Sequence, residues 1–138
     1  VKPWAGLARI GFALPGTTLI GDYHPAAAPL DRRRLSLEIG RFLVRAEGLA
    51  FDASIHVEGV AERAPASGVV VGSRPCFEYR VVFEGDDGVQ YALGLSQRLE
   101  RITFRALTEL RGELTRAEPE AEVVGPACLR FDWRGRFA

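Results

Sequence analysis

Methionine and asparagine are absent from this 138-residue chain, lysine occurs once, and cysteine and histidine occur twice each. A chain without methionine is expected to be a processed product or an excised piece, Val1 being the kind of small residue that initiator removal exposes. Of the 18 basic residues 17 are Arg, which reads as arginine-rich coding in a GC-rich genome rather than special guanidinium chemistry. Cys76 and Cys128 form no CxxC pair; two reduced, buried thiols are expected, a disulfide being the alternative. His24 and His56 are too few and too far apart, with those cysteines, for any metal-ligand spacing, and no cofactor is expected. Excess charge is missing as well, 18 basic residues facing 18 acidic ones, so nothing recruits nucleic acid. No run approaches the roughly 18 apolar residues of a membrane span, and no signal-peptide pattern opens the chain. The expectation is one cytoplasmic domain over residues 1–138.

What the chain does have is alternation. Phe77, Tyr79, Val81 and Phe83 alternate with mostly polar residues, Asp86, Asp87 and Gly88 supply a turn, and Val89, Tyr91, Leu93 and Leu95 resume the pattern. This is an antiparallel hairpin. Leu35, Leu37 and Ile39 alternate likewise, and residues 42–44 extend that strand past Gly40 through a bulge. Phe51, Ala53, Ile55 and Val57 form another strand, residues 64–68 read as a turn, and residues 69–72 as a short buried strand. Ile102, Phe104, Ala106, Thr108 and Leu110 share one face of a further strand, with a helix over 97–114 as the competing reading. Residues 118–122 read as an acidic loop, and Leu129, Phe131 and Trp133 face one way on a closing strand. The opening segment 4–14 is a short strand or a helical turn, with Trp4 placed to cap an end. Eight or nine strands without a long helix predict an all-β antiparallel barrel of lipocalin-like architecture, with a two-sheet sandwich as the alternative.

The stretch from Phe77 to Asp132 carries an ordered set of motifs. These are F-x-x-D-D-G from Phe83 to Gly88, Tyr91-Ala-Leu-Gly94, Leu107-Thr-Glu-Leu110 and Val124-Gly-Pro-Ala-Cys-Leu-Arg-Phe-Asp132. In this it resembles the β-rich accessory region of cholesterol-oxidase-like flavin oxidoreductases of the glucose-methanol-choline class, with Gly11-Phe12 and residues 37–57 following the same layout more loosely. The flavin-binding parts of that class have no counterpart, since no GxGxxG follows a strand. The resemblance therefore implies a small module that accompanies enzymes acting on apolar substrates, and transfers no catalytic residue.

No residue cluster announces catalysis. Asp22-Tyr23-His24 gathers an acid, a phenol and an imidazole, but neighbours in a loop point apart and a solvated loop is the simpler reading. Gly94-Leu-Ser96-Gln-Arg98 imitates part of a nucleophile elbow, with Arg98 where the turn needs glycine. Tyr79, Tyr91 and Thr108 are the polar groups on inner faces otherwise lined by Phe77, Phe83 and Phe104. These six are the candidate ligand-binding residues of a non-catalytic module that holds an apolar small molecule, a fatty acid or sterol, inside the barrel. Ordinary core tyrosines explain the same pattern. The other readings are a structural or interaction module that docks on an oxidoreductase or on a second copy of itself, and a small isomerase or cyclase using Tyr79, Tyr91 or His24.

Overall fold

The computed structural model describes residues 17–45, 48–73, 75–98, 109–117 and 120–132. Its strands are β1 (Thr18–Tyr23), β2 (Arg33–Arg45), β3 (Gly48–Val57), β4 (Ala61–Ser73), β5 (Cys76–Glu84), β6 (Gln90–Arg98), β7 (Glu109–Arg116) and β8 (Glu122–Phe131). Each pairs antiparallel with the next, and β8 returns to β1 through Leu19↔Phe131 to Tyr23↔Ala127, closing an eight-stranded barrel. Closure decides for the expected barrel over the sandwich, and among the described strands it leaves none at an open edge.

Alternation places the core. In β5 and β6 the residues Phe77, Tyr79, Val81, Phe83, Tyr91, Leu93 and Leu95 turn inward and are buried, as the hairpin pattern requires. They meet Leu19, Tyr23, Leu35, Leu37, Ile55, Val57, Leu110, Leu114 and Leu129 from the other strands. Each such side chain contributes about 1.5–3 kcal/mol on burial, which makes this inner layer the main source of stability. The β2 bulge lies where Gly40 suggested it: Ile39 pairs with Ala53 and Phe42 with Phe51, so Gly40 and Arg41 together oppose Asp52. The Asp52 carboxylate accepts the Arg41 amide hydrogen at 2.7 Å and so satisfies the group that the bulge frees.

Turns at one end of the barrel are tied to each other. The Tyr23 hydroxyl donates to the Glu58 carbonyl, and the Glu58 carboxylate accepts the Arg34 amide hydrogen at 2.7 Å. Asp86 donates its amide hydrogen to the Val60 carbonyl at 2.8 Å, while its carboxylate accepts from the Glu62 amide at 3.1 Å. The β5–β6 turn is therefore clamped onto the β3–β4 turn by one aspartate.

Three expectations change. Residues 64–68 are strand rather than turn, lying inside β4 with Ala64 and Ala66 buried. Pro65 fits because the β4–β5 ladder begins one residue later, at Ala66↔Phe83. β7 begins at Glu109 and carries the strand past the expected end at Leu110 to Arg116, and since Gln97 and Arg98 belong to β6 and residues 109–114 to β7, the helical reading fails at both of its ends. The closing strand starts at Glu122, which the acidic-loop reading had included. Residues 4–14, the stretch 102–108 with Phe104 and Thr108, and Trp133 lie outside the described residues.

Candidate functional site

The register lines up outward side chains from four strands. Leu43 pairs with Ala50, Ala50 with Val69 and Val69 with Arg80, forming one row across β2, β3, β4 and β5. Beside it the bulge places Arg41 opposite Asp52, which pairs with Ser67, which in turn pairs with Val82. Arg41, Leu43 and Arg80 on the flanking strands β2 and β5 are long, whereas Ala50, Asp52, Ser67 and Val69 on β3 and β4 between them are shorter. Four strands at the usual spacing span about 14 Å, so the result is a trough across the wall. It encloses about 770 Å³, with Phe51 and Gly68 in its floor. A Cβ on Gly68 would fall 2.1 Å from Phe51 Cζ, so the ring lies where only glycine leaves room. A smaller hollow of about 340 Å³, lined by Glu38, Gly40 and Ser54 among others, adjoins it at Asp52.

The trough was not among the candidates read from the sequence. Those four that are described lie on the inner face, as expected, but in two separate groups. Phe77 and Tyr79 lie toward the end where β4 turns into β5; Tyr79 meets Phe51 edge-on at 6.4 Å, and Phe51 meets Phe42 at 5.6 Å. Phe83 and Tyr91 stack at 5.6 Å near the β5–β6 turn. Gln97 is a buried polar residue on the same face, 1% exposed and opposite Phe77. Its signal in the sequence was its place in the alternation after Tyr91, Leu93 and Leu95.

Tyr91 is anchored by the turn. Its hydroxyl donates to Asp87 Oδ2 at 2.9 Å, and the Val89 amide donates to Asp87 Oδ1 at 3.1 Å. The Val89 and Tyr91 hydrogen bonds hold the Asp87 carboxyl below its ordinary 3.8, while burial and the Asp87 carboxylate push the Tyr91 phenol above 10.0. Because the folded pKa of Asp87 is depressed, its contribution is complete above 3.8 and is lost as pH falls through the lower folded value. Asp87→Asn, whose amide NH₂ cannot accept from the phenol, is expected to lower the thermal midpoint at neutral pH. The gap to the wild type should close in melts taken at progressively lower pH below 3.8.

The other candidate chemistry disperses. Tyr23 is fully buried, whereas Asp22 pairs outside with Arg32 at 2.7 Å and lies 3.7 Å from His24 Nε2. The phenol therefore sits on the opposite side of the wall from the acid and the imidazole. Ser96 lies in mid-strand and donates to the Arg111 carbonyl at 3.3 Å, with no elbow around it. His56, on the polar face as expected, has Nδ1 2.5 Å from the Glu62 carbonyl. Cys76 and Cys128 are free, as expected, but half-buried rather than buried. Burial and the neighbouring Glu109 carboxylate push the Cys128 thiol up, away from the thiolate a nucleophile needs. Arg80 pairs with Glu78 along β5 at 3.3 Å and Arg111 with Glu109 along β7, while Arg63 on β4 reaches Glu38 on β2 at 4.0 Å.

Among the described residues no group of three or more His, Cys, Asp or Glu could hold a metal ion, and no helix is long and apolar enough to cross a membrane. Comparison of the chain with protein-family models, with curated proteins and with solved structures returns no match, and so nothing links it to oxidoreductase accessory regions.

Proposed function

We propose that this chain is a non-catalytic binding module for an apolar small molecule of lipid or sterol type, and that the molecule lies in the trough on the outer wall rather than inside the barrel. The observation that carries the proposal is the trough itself. Its volume of about 770 Å³ falls in the range of small-molecule sites, and its flanks hold Leu43 and Val82 in water at 60% and 50% exposure. Covering such side chains is favourable by about 25 cal/mol per Å² of apolar surface. The inner aromatics support the wall over the interior, because Phe83 is stacked on Tyr91, Tyr79 meets Phe51, and the Tyr91 hydroxyl is already held by Asp87.

The test is uptake of a neutral solvatochromic dye, Nile red, together with native mass spectrometry before and after solvent extraction. Val82→Asp places a charge on the trough flank without touching the core. It is expected to weaken dye binding at least about tenfold while leaving the melting temperature within a few degrees. Dye binding that Val82→Asp leaves unchanged would overturn the placement, and absence of uptake would overturn the proposal.

A second reading draws on the same exposed pair, Leu43 on β2 at 60% and Val82 on β5 at 50%. Apolar side chains held in water on this wall also suit a module that docks by it on an oxidoreductase, the partner that the motif resemblance implies, or on a second copy of itself. A dimer mass that Val82→Asp reduces to the monomer, with no extractable ligand, would favour that reading.

A further inference from the structure

We infer that the trough takes an anionic amphiphile, a long-chain carboxylate, with its headgroup on Arg41; this rests on the reading of the trough as an apolar-ligand site. The lining carries two cations, Arg41 and Arg80, against one anion, Asp52. Asp52 spends an oxygen on the Arg41 amide hydrogen of the bulge. Arg80 shares the carboxylate of Glu78, which stands outside the trough. Among the described residues no carboxylate lies within ion-pair distance of the Arg41 guanidinium, which stands on β2 two positions from Leu43.

That arrangement discriminates by charge. A neutral sterol or alcohol covering Leu43 and Val82 can return to Arg41 only one uncharged hydrogen bond, accepted by its hydroxyl oxygen. A cationic amphiphile would be repelled by it. A carboxylate accepts two parallel N–H groups from a guanidinium, and its hydrocarbon tail can then cross Ala50, Ser67 and Val69 toward Val82, where the side chains are short. The bulge is what makes this possible, since the extra residue turns Arg41 to the outside together with Leu43. Asp52 opposes the anion at short range and sets how strong the preference can be.

Displacement of Nile red by dodecanoate and by dodecanol, its neutral analogue, tests the inference at neutral pH. At low salt the wild type is expected to bind dodecanoate about three- to tenfold more tightly than dodecanol, and added salt should shrink the ratio. Arg41→Gln should bring the ratio close to one by weakening dodecanoate. Asp52→Asn, which keeps an oxygen for the Arg41 amide, should raise it. Equal affinities in the wild type, or a preference that Arg41→Gln leaves intact, would overturn the headgroup assignment while the apolar site stands if Val82→Asp still abolishes dodecanol binding. Failure of both ligands to displace the dye would bring down the assignment and the apolar site together.

Discussion

Phe51→Ala is expected to cost about 3–5 kcal/mol of folding stability, the range for truncating a packed aromatic. Phe51 is 4% exposed, its ring lies between Phe42 and Tyr79, and its edge occupies the space over Gly68. Gly68→Ala by itself should cost about 1–3 kcal/mol, because the new Cβ would have to displace the ring from 2.1 Å. The ring is the cause of that cost, so the two changes are coupled. In a chain that already carries Phe51→Ala, Gly68→Ala should be neutral or mildly stabilising, since its methyl enters vacated space and alanine gives up less chain entropy than glycine. Urea denaturation of both single variants and the double variant should give a coupling of about 1–3 kcal/mol. Additive costs would show that the ring does not rest on Gly68.

Gly112→Ala should be nearly as damaging, for a different reason. A Cβ there would sit 1.7 Å from the Gly94 carbonyl oxygen and 2.9 Å from Leu95 Cα. Both are backbone atoms of β6, so no side-chain rotation relieves the overlap and the β6–β7 pairing must open. The expected loss is about 3 kcal/mol or more. Gly94 itself provides the control. A Cβ at that position meets nothing within 4 Å, and Gly94→Ala is expected to be neutral or to stabilise by up to about 1 kcal/mol. Hydrogen exchange should show the amides of residues 91–96 and 111–116 losing protection in Gly112→Ala alone. Similar melting temperatures for the two variants would contradict the close approach of β6 and β7.

Several features could be read directly because they are local. The β5–β6 hairpin announces itself through large apolar residues at every second position and an Asp-Asp-Gly turn, and successive side chains on a strand must point to opposite faces. The β2 bulge was legible from Gly40 interrupting the alternation. Where inward residues are small, that signal fades. Ala64 and Ala66 in β4 stand out little from Pro65 between them and Ser67 after them, so the segment reads as a turn until pairing with Phe51 to Ile55 is known. Gly112 does the same to β7, breaking the pattern between Leu110 and Leu114. Pairing partners lie on other strands and leave no mark within seven or eight residues of sequence.

By itself, then, the sequence determined an all-β antiparallel architecture, the inward faces of Phe77, Tyr79, Phe83 and Tyr91, and an outward His56, all consequences of a two-residue period that each strand carries alone, while closure into a barrel rather than a sandwich waited on the pairing of β8 with β1. Only the tertiary structure decided that Tyr23 would part from Asp22 and His24 across the wall, that Asp87 would hold the Tyr91 hydroxyl, and that Arg41, Leu43, Arg80 and Val82 would flank a row of short side chains. The physical reason is register. Residues up to about forty positions apart become neighbours through the pairing of four strands, and a shift of one residue in any of them would turn its outward side chains into the core.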